Sequence, residues 1–202
     1  MLKVENLKKV FGRKVVVQIE SLEFEKGIYW IRGENGSGKS TFLKSLAGLF
    51  SFQGEISYKN YSLKKSPKDY LKYVSFSETE PIFPGFLTGT QLLQFFMHCK
   101  GDEYTNIEEL LLEFDMTNYM DHLPISSYSS GMLKKLSLVL AFVGKPEVLL
   151  LDEPYITLDQ KSIDVLNKQL IIQAGLGNTI ILTSHLDHLP FEVREILFKI
   201  NP

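Results

Sequence analysis

The sequence predicts an α/β fold, and three patterns predict it. Apolar runs of strand length occur at Ile28-Tyr29-Trp30-Ile31, Val148-Leu149-Leu150-Leu151 and Thr179-Ile180-Ile181-Leu182, as strands buried on both faces of a parallel sheet require. Between them the apolar spacing turns helical, at residues 41–47 and again at about 162–174. A glycine-rich stretch, Gly33-Glu34-Asn35-Gly36-Ser37-Gly38-Lys39-Ser40, joins the first of those strands to the first of those helices. At 202 residues the chain is long enough for one α/β domain with a sizeable core, and division in two would leave both halves small. A single domain over 1–202 is expected.

The first 31 residues carry several β-rich runs, notably Val15-Val16-Val17-Gln18-Ile19, punctuated by Gly12 and Gly27. Beyond the first helix, Gly54-Glu55-Ile56-Ser57-Tyr58 and Tyr73-Val74-Ser75-Phe76 read as strands of the same domain, and Lys64-Lys65 with Lys68 reads as a solvated loop. From about Gly89 to Val143 the pattern is helical: Leu92, Leu93, Phe95 and Phe96, then Ile107, Leu110, Leu111 and Phe114, then Leu133, Leu136, Val139, Leu140 and Val143. With no repeat, low-complexity tract or Pro-rich linker around it, this is an inserted helical subdomain at approximately 86–143 rather than a separate folding unit. Within it, Gln94-Phe95-Phe96-Met97-His98 is expected to face the core, and Cys99 to pack on a helical face.

Composition narrows the function. Lys+Arg 22 against Asp+Glu 24 gives a net charge of -2, no electrostatic footprint for wrapping nucleic acid. No stretch approaches the roughly 18 consecutive apolar residues of a bilayer span. The one cysteine cannot form an internal disulfide and the first residues lack the apolar core of a signal peptide, so a reducing, cytoplasmic setting is expected. His98, His122 and His188 show no metal-ligand spacing with Cys99.

The chemistry starts in the glycine-rich loop. Gly33, Gly36 and Gly38 let the backbone wrap a polyphosphate so that successive N–H groups, from Glu34, Asn35 and Ser37 among others, point at its oxygens. Lys39 adds a cation able to reach the β- and γ-phosphates, Ser40 offers a hydroxyl to Mg²⁺, and Thr41 can donate to the α-phosphate. Strand, loop and helix in that order also place a helix N-terminus at the anion. A second constellation closes the run Val148-Leu149-Leu150-Leu151 with Asp152-Glu153-Pro154. In open α/β sheets ligands gather at the carboxyl ends of the strands, so Asp152 can hold Mg²⁺ and Glu153 can polarise an attacking water.

These motifs resemble those of the nucleotide-binding subunits of ATP-binding cassette (ABC) transporters, in the family's order from Phe11 to His185. The resemblance implies a P-loop NTPase (RecA-like) core with an N-terminal antiparallel β-subdomain and the inserted helical subdomain. It also implies ATP and Mg²⁺ as ligands. Phe11 stands where the family stacks an aromatic ring on adenine. Tyr128-Ser129-Ser130-Gly131-Met132 stands at the signature loop, keeping its serine and second glycine in a variant similar to that of bacterial antibiotic and bacteriocin exporters. By its residues alone, that loop reads as a helix cap. Leu158-Asp159 matches the loop that lies against a partner subunit, although Asp159 also reads as an N-cap. Thr183-Ser184-His185 matches the histidine that contacts the γ-phosphate. Where the family carries a glutamine near the metal, Ser77-Glu78-Thr79 offers Glu78, a carboxylate that adds charge and loses the amide donor.

The resemblance implies two cassettes closing head to tail on ATP, as a homodimer or with a related chain. Glu153, His185 and Lys39 would carry the hydrolysis, and Ser129, Gly131 and Asp159 would face the partner. It further implies separately encoded transmembrane permease subunits, export, and a cytoplasmic position on the inner face of the membrane, in a minimal cassette without a regulatory tail. The alternatives are a soluble non-transport ABC ATPase, a small-metabolite kinase, and a nucleotide-dependent switch with weak hydrolysis.

Overall fold

The β-rich opening forms two long antiparallel strands, β1 (Leu2–Phe11) and β2 (Lys14–Phe24), joined by a tight turn in which Gly12 takes φ +58. Along the chain follow β3 (Gly27–Arg32), α1 (Lys39–Leu46), β4 (Gln53–Tyr58), β5 (Tyr61–Ser62), α2 (Pro67–Tyr73) and β6 (Val74–Ser77). Then come α3 (Gly89–Lys100), α4 (Ile107–Glu113), α5 (Ser130–Phe142), β7 (Val148–Leu151), α6 (Gln160–Gly175), β8 (Thr179–Thr183) and β9 (Arg194–Leu197). The computed structural model describes residues 1–101 and 107–199. The part of the expected helical insertion at 102–106 lies outside them.

The strands make two sheets. One is antiparallel, in the order β2-β1-β4-β5, and the other is wholly parallel, in the order β6-β7-β8-β3-β9. The apolar runs become the middle of the parallel sheet, and their side-chain alternation divides the core into two layers. Ile28, Trp30, Leu149, Leu151, Ile180 and Leu182 face the inserted helices and α6. Tyr29, Ile31, Val148, Leu150 and Ile181 face α1 and the antiparallel sheet. All four residues of β7 are fully buried, and burying each such aliphatic side chain contributes about 2 kcal/mol. Insulated on both sides, β7 delivers the acid pair at its carboxyl end to a fixed place.

Within the insertion, α5 is apolar nearly all round, burying Leu136, Leu138, Val139, Leu140, Ala141 and Phe142, and packs between β6 and the helices α3 and α4. A capping box of Thr88 with Gln91 starts α3, and Gly101 in the left-handed region ends it.

Three expectations change, and one strand is added. The Lys64-Lys65…Lys68 stretch is not all loop: Pro67 and Asp69 open the short helix α2, and Tyr70 buries its ring and donates its hydroxyl to the Leu46 carbonyl. In the Gln94–His98 segment only Phe96 and Met97 turn inward, half-buried one helical turn after the buried Leu92 and Leu93, while Phe95 falls off that face and is exposed. Cys99 is exposed on α3. Finally, β9 adds to β3 an edge strand whose pattern is too polar to be read from spacing.

Candidate nucleotide-binding site

The loop after β3 turns through three glycines, and two of them are fixed by close approach. A Cβ on Gly33 would lie 2.3 Å from the Phe198 carbonyl oxygen, and one on Gly38 would lie 2.7 Å from the Val16 carbonyl oxygen. Gly36, at φ +81, has open space where a side chain would stand, so its backbone conformation rather than a close approach calls for glycine. Gly38 also serves as N-cap of α1 at φ +96, and no side chain caps that helix. Lys39 is buried and donates to the Gly33 carbonyl at 2.6 Å and the Glu34 carbonyl at 3.0 Å. The result is a loop curled around its own ammonium group, with open glycine backbone and an uncapped helix end, a donor set that suits a polyphosphate.

Asp152 and Glu153 follow β7, which β8 separates from β3 in the sheet. Ser40 Oγ donates to Asp152 Oδ1 at 3.0 Å, and Thr183 Oγ1 donates to the same oxygen at 2.8 Å. The Glu153 N–H in turn donates to Thr183 Oγ1 at 2.9 Å. The register explains Thr183: Leu151 pairs with Leu182, so Asp152 and Thr183 leave the sheet side by side. Glu153 takes φ +46, an uncommon conformation for a residue with a side chain, and its carboxylate Oε1 stands 3.4 Å from His185 Nε2. Burial pushes the Glu153 carboxyl above its ordinary range, while His185 and Lys39 pull it back. A cleft of about 230 Å³ is lined by Val16, Asn35, Gly36, Gly38, Lys39, Ser40, Thr41, Glu153 and His185. It gathers in one place two motifs more than a hundred residues apart.

The remaining expected residues stand elsewhere. Phe11 is 46% exposed and meets Phe50 edge-on at 5.5 Å, with Lys9 Nζ over both rings. Ser129 caps α5 by accepting the Met132 N–H, and Asp159 caps α6 by accepting the Ser162 N–H at 2.8 Å. Gly131 is required within the chain itself, since its Cβ would come 2.9 Å from the Thr157 carbonyl oxygen. Glu78, expected near the metal, has its carboxylate ion-paired with Lys44 of α1.

Sequence reasoning did not single out Lys134 as a site residue. It is buried, and donates to the carbonyls of Glu78 at 2.8 Å and Asp152 at 3.0 Å, tying the ends of β6 and β7 to α5. Burial lowers its ammonium to about 8, against the pull of Asp152, Glu153 and Glu78. The available signal was a lysine on the same face as Leu138, which says that it is sheltered but not what it touches.

With this geometry in place, comparison with known proteins decides the family. The ABC transporter family profile matches residues 18–156. The chain belongs to the ABC transporter family. It is an ATP-binding cassette and an ATPase by membership. The chain is 32% identical over its full length to the uncharacterized ABC transporter ATP-binding protein YybJ of Bacillus subtilis, covering 93% of it. It is 30% identical over 92% of its length to the lantibiotic transport ATP-binding protein SrtF of Streptococcus pyogenes, covering 80% of that protein. A solved ATP-binding subunit of an ABC transporter superposes with a TM-score of 0.84 at 27% identity, over 92% of this chain and 79% of that one. The cassette architecture is thus an antiparallel sheet, a parallel nucleotide-binding core and an inserted helical segment. Among the described residues, no helix is long and apolar enough to cross a membrane.

Proposed function

We propose that this cassette hydrolyses ATP to drive export through separate transmembrane permease subunits, bound at the inner face of the membrane. The observation that carries the reading is the cleft in which Lys39, Ser40, Glu153 and His185 meet. Similarity to a relative named for lantibiotic transport, together with the Tyr128-Ser129-Ser130-Gly131-Met132 form of the signature loop, supports export over import.

In this reading the loop N–H groups and the Lys39 ammonium hold the β- and γ-phosphates, and Thr41 the α-phosphate, while Phe11 offers a ring to adenine. Ser40 and Asp152 would hold Mg²⁺, which when bound supplies positive charge against the phosphate oxygens. Their mutual contact and the all-oxygen donors fit a hard cation. Glu153 orients water and accepts its proton; His185, 3.4 Å from that carboxylate, keeps it turned into the cleft. Ser129 accepts the Met132 N–H and so retains its own O–H to donate outward. With Gly131 and Asp159 it forms a rim that a second cassette would bring against nucleotide.

Calorimetry with ATP and Mg²⁺, followed by identification of polypeptides that co-purify from membranes, tests the reading. It expects micromolar or tighter uptake and a co-purifying chain with transmembrane spans. Absence of uptake removes the nucleotide role, and co-purification with ribosomes alone would favour a soluble cassette.

A further inference from the structure

A third carboxylate stands beside the cleft, and the hydrolysis proposed above, on which this inference rests, gives it no task. Glu78 follows β6, and its side chain turns onto Lys44 Nζ, the two side chains being 33% and 25% exposed. Lys44 comes four residues after Ser40 on α1, one turn along the same helix face. Ser40 Oγ touches Asp152 Oδ1, so the helix that carries Lys44 also carries, one turn earlier, the serine that meets the acid pair. The backbone here is pinned: Lys134 holds the Glu78 and Asp152 carbonyls together, and Thr79 Oγ1 donates to the Asp152 carbonyl at 3.4 Å. What remains free at position 78 is the side-chain torsion, and Lys44 sets it.

The charges explain why this matters. Asp152 and Glu153 already place two carboxylates at the strand ends, and a nucleoside triphosphate brings more negative charge. A third unpaired carboxylate, on a residue whose carbonyl Lys134 ties to that of Asp152, repels that ligand. We propose that Lys44 is a positioning residue that holds Glu78 out of the metal-binding position and cancels its charge, so that position 78 faces nucleotide as a neutral pair.

The proposal makes the two partners unequal. Losing the glutamate is harmless to nucleotide binding, losing the lysine is not, and losing both restores binding. The affinity for ATP, with and without Mg²⁺, is measured by calorimetry for the wild type, Lys44→Met, Glu78→Gln and the double variant, each with its melting temperature in the absence of nucleotide. Lys44→Met is expected to weaken binding about tenfold in both conditions, Glu78→Gln to bind within about threefold of wild type or tighter, and the double variant to return to within about threefold. Lys44→Arg keeps the charge and is expected to keep affinity, and Lys44→Gln replaces Lys44→Met if the latter melts early. Three results overturn the proposal: Lys44→Met binding as wild type, a double variant as weak as Lys44→Met, or Glu78→Gln losing tenfold in affinity only when Mg²⁺ is present, which would make Glu78 a metal ligand. A wild-type protein that takes up no ATP refutes the nucleotide role instead, a result distinguishable from all three.

Discussion

The helices α1 and α5 begin in similar sequence, small residues and glycine ahead of a lysine, yet their N-termini are finished differently. Gly38 leaves α1 without a side-chain cap, so the helix end and its partial positive charge stay open to a ligand. Ser129 closes α5 by taking the Met132 N–H, and Asp159 closes α6 in the same way on Ser162. The first terminus needs a guest to be satisfied, whereas the other two are satisfied by their own chain. In the proposed function the phosphate cradle is therefore a site assembled within one chain, and the Ser129–Gly131–Asp159 rim is stable structure that would acquire a ligand only when something is brought to it. Substitutions in the cradle should cost activity in every state of the protein, and those in the rim only in an assembled one.

The cradle substitutions have the largest expected effects. Lys39→Ala removes the one lysine among the described residues lining the cleft and should lower turnover by at least about 10²-fold. Glu153→Gln should keep ATP affinity within a few-fold and lose about 10²–10³-fold in turnover, measured as steady-state phosphate release. The pH profile sharpens this. Burial raises the Glu153 carboxyl above its ordinary 4.5, so turnover should fall on an acid limb displaced upward from that value. The folded chain binds this proton more tightly than the unfolded chain does, so protonating Glu153 favours the fold as pH falls. Protonation of Glu153 should thus abolish activity on that limb without itself destabilising the fold. His185→Ala, which removes a group that pulls the carboxyl down, should move the limb further up.

The same contrast explains how much was legible in the sequence. Gly33 to Thr41 and Asp152-Glu153 could be read because each motif is continuous along the chain and flanked by the strand or helix its chemistry needs. Thr183, Lys134 and Lys44 were not assigned their roles because those roles come from contacts across space. Thr183 depends on the register of β8 against β7, Lys134 on the rotation of α5 over two strand ends, and Lys44 on where the chain leaves β6. The apolar strand runs were recognised by burial on both faces, while α2 and β9, short and polar, were held by partners that local spacing does not reveal. Gly131 was expected for its approach to phosphate, and the Thr157 carbonyl supplies a second reason visible only in three dimensions.

Gly131→Ala tests the rim directly. Its new methyl would meet the Thr157 carbonyl at 2.9 Å, and Thr157 already holds φ +66, so the loop between β7 and α6 must shift. Displacements of that size cost about 10- to 100-fold when they misplace reacting groups. Turnover at high protein concentration should fall by that range, while ATP affinity at concentrations too low for assembly stays within about twofold. Equal losses in both measurements would show that the rim belongs to the cradle after all.

The smallest effect separates two duties of one residue. Asp159 caps α6 and pairs with Lys135 at 3.0 Å. The Ser162 N–H and hydroxyl, with Lys135, hold its carboxyl down at about 2 from an ordinary 3.8. A depressed carboxyl stabilises the fold above its unfolded value and loses that contribution as pH falls toward the folded one. Asp159→Ala removes the cap and should cost about 1 kcal/mol, read as a melting temperature lower by roughly 2–4 °C at neutral pH. Asp159→Asn keeps a good capping oxygen and should melt close to wild type at neutral pH, with a shallower loss of stability between pH 4 and 2. If Asp159 also meets a second cassette, the asparagine variant should lose turnover while keeping its melting temperature. A variant unchanged in both would leave the residue a helix cap, complete in its own chain like the terminus it closes.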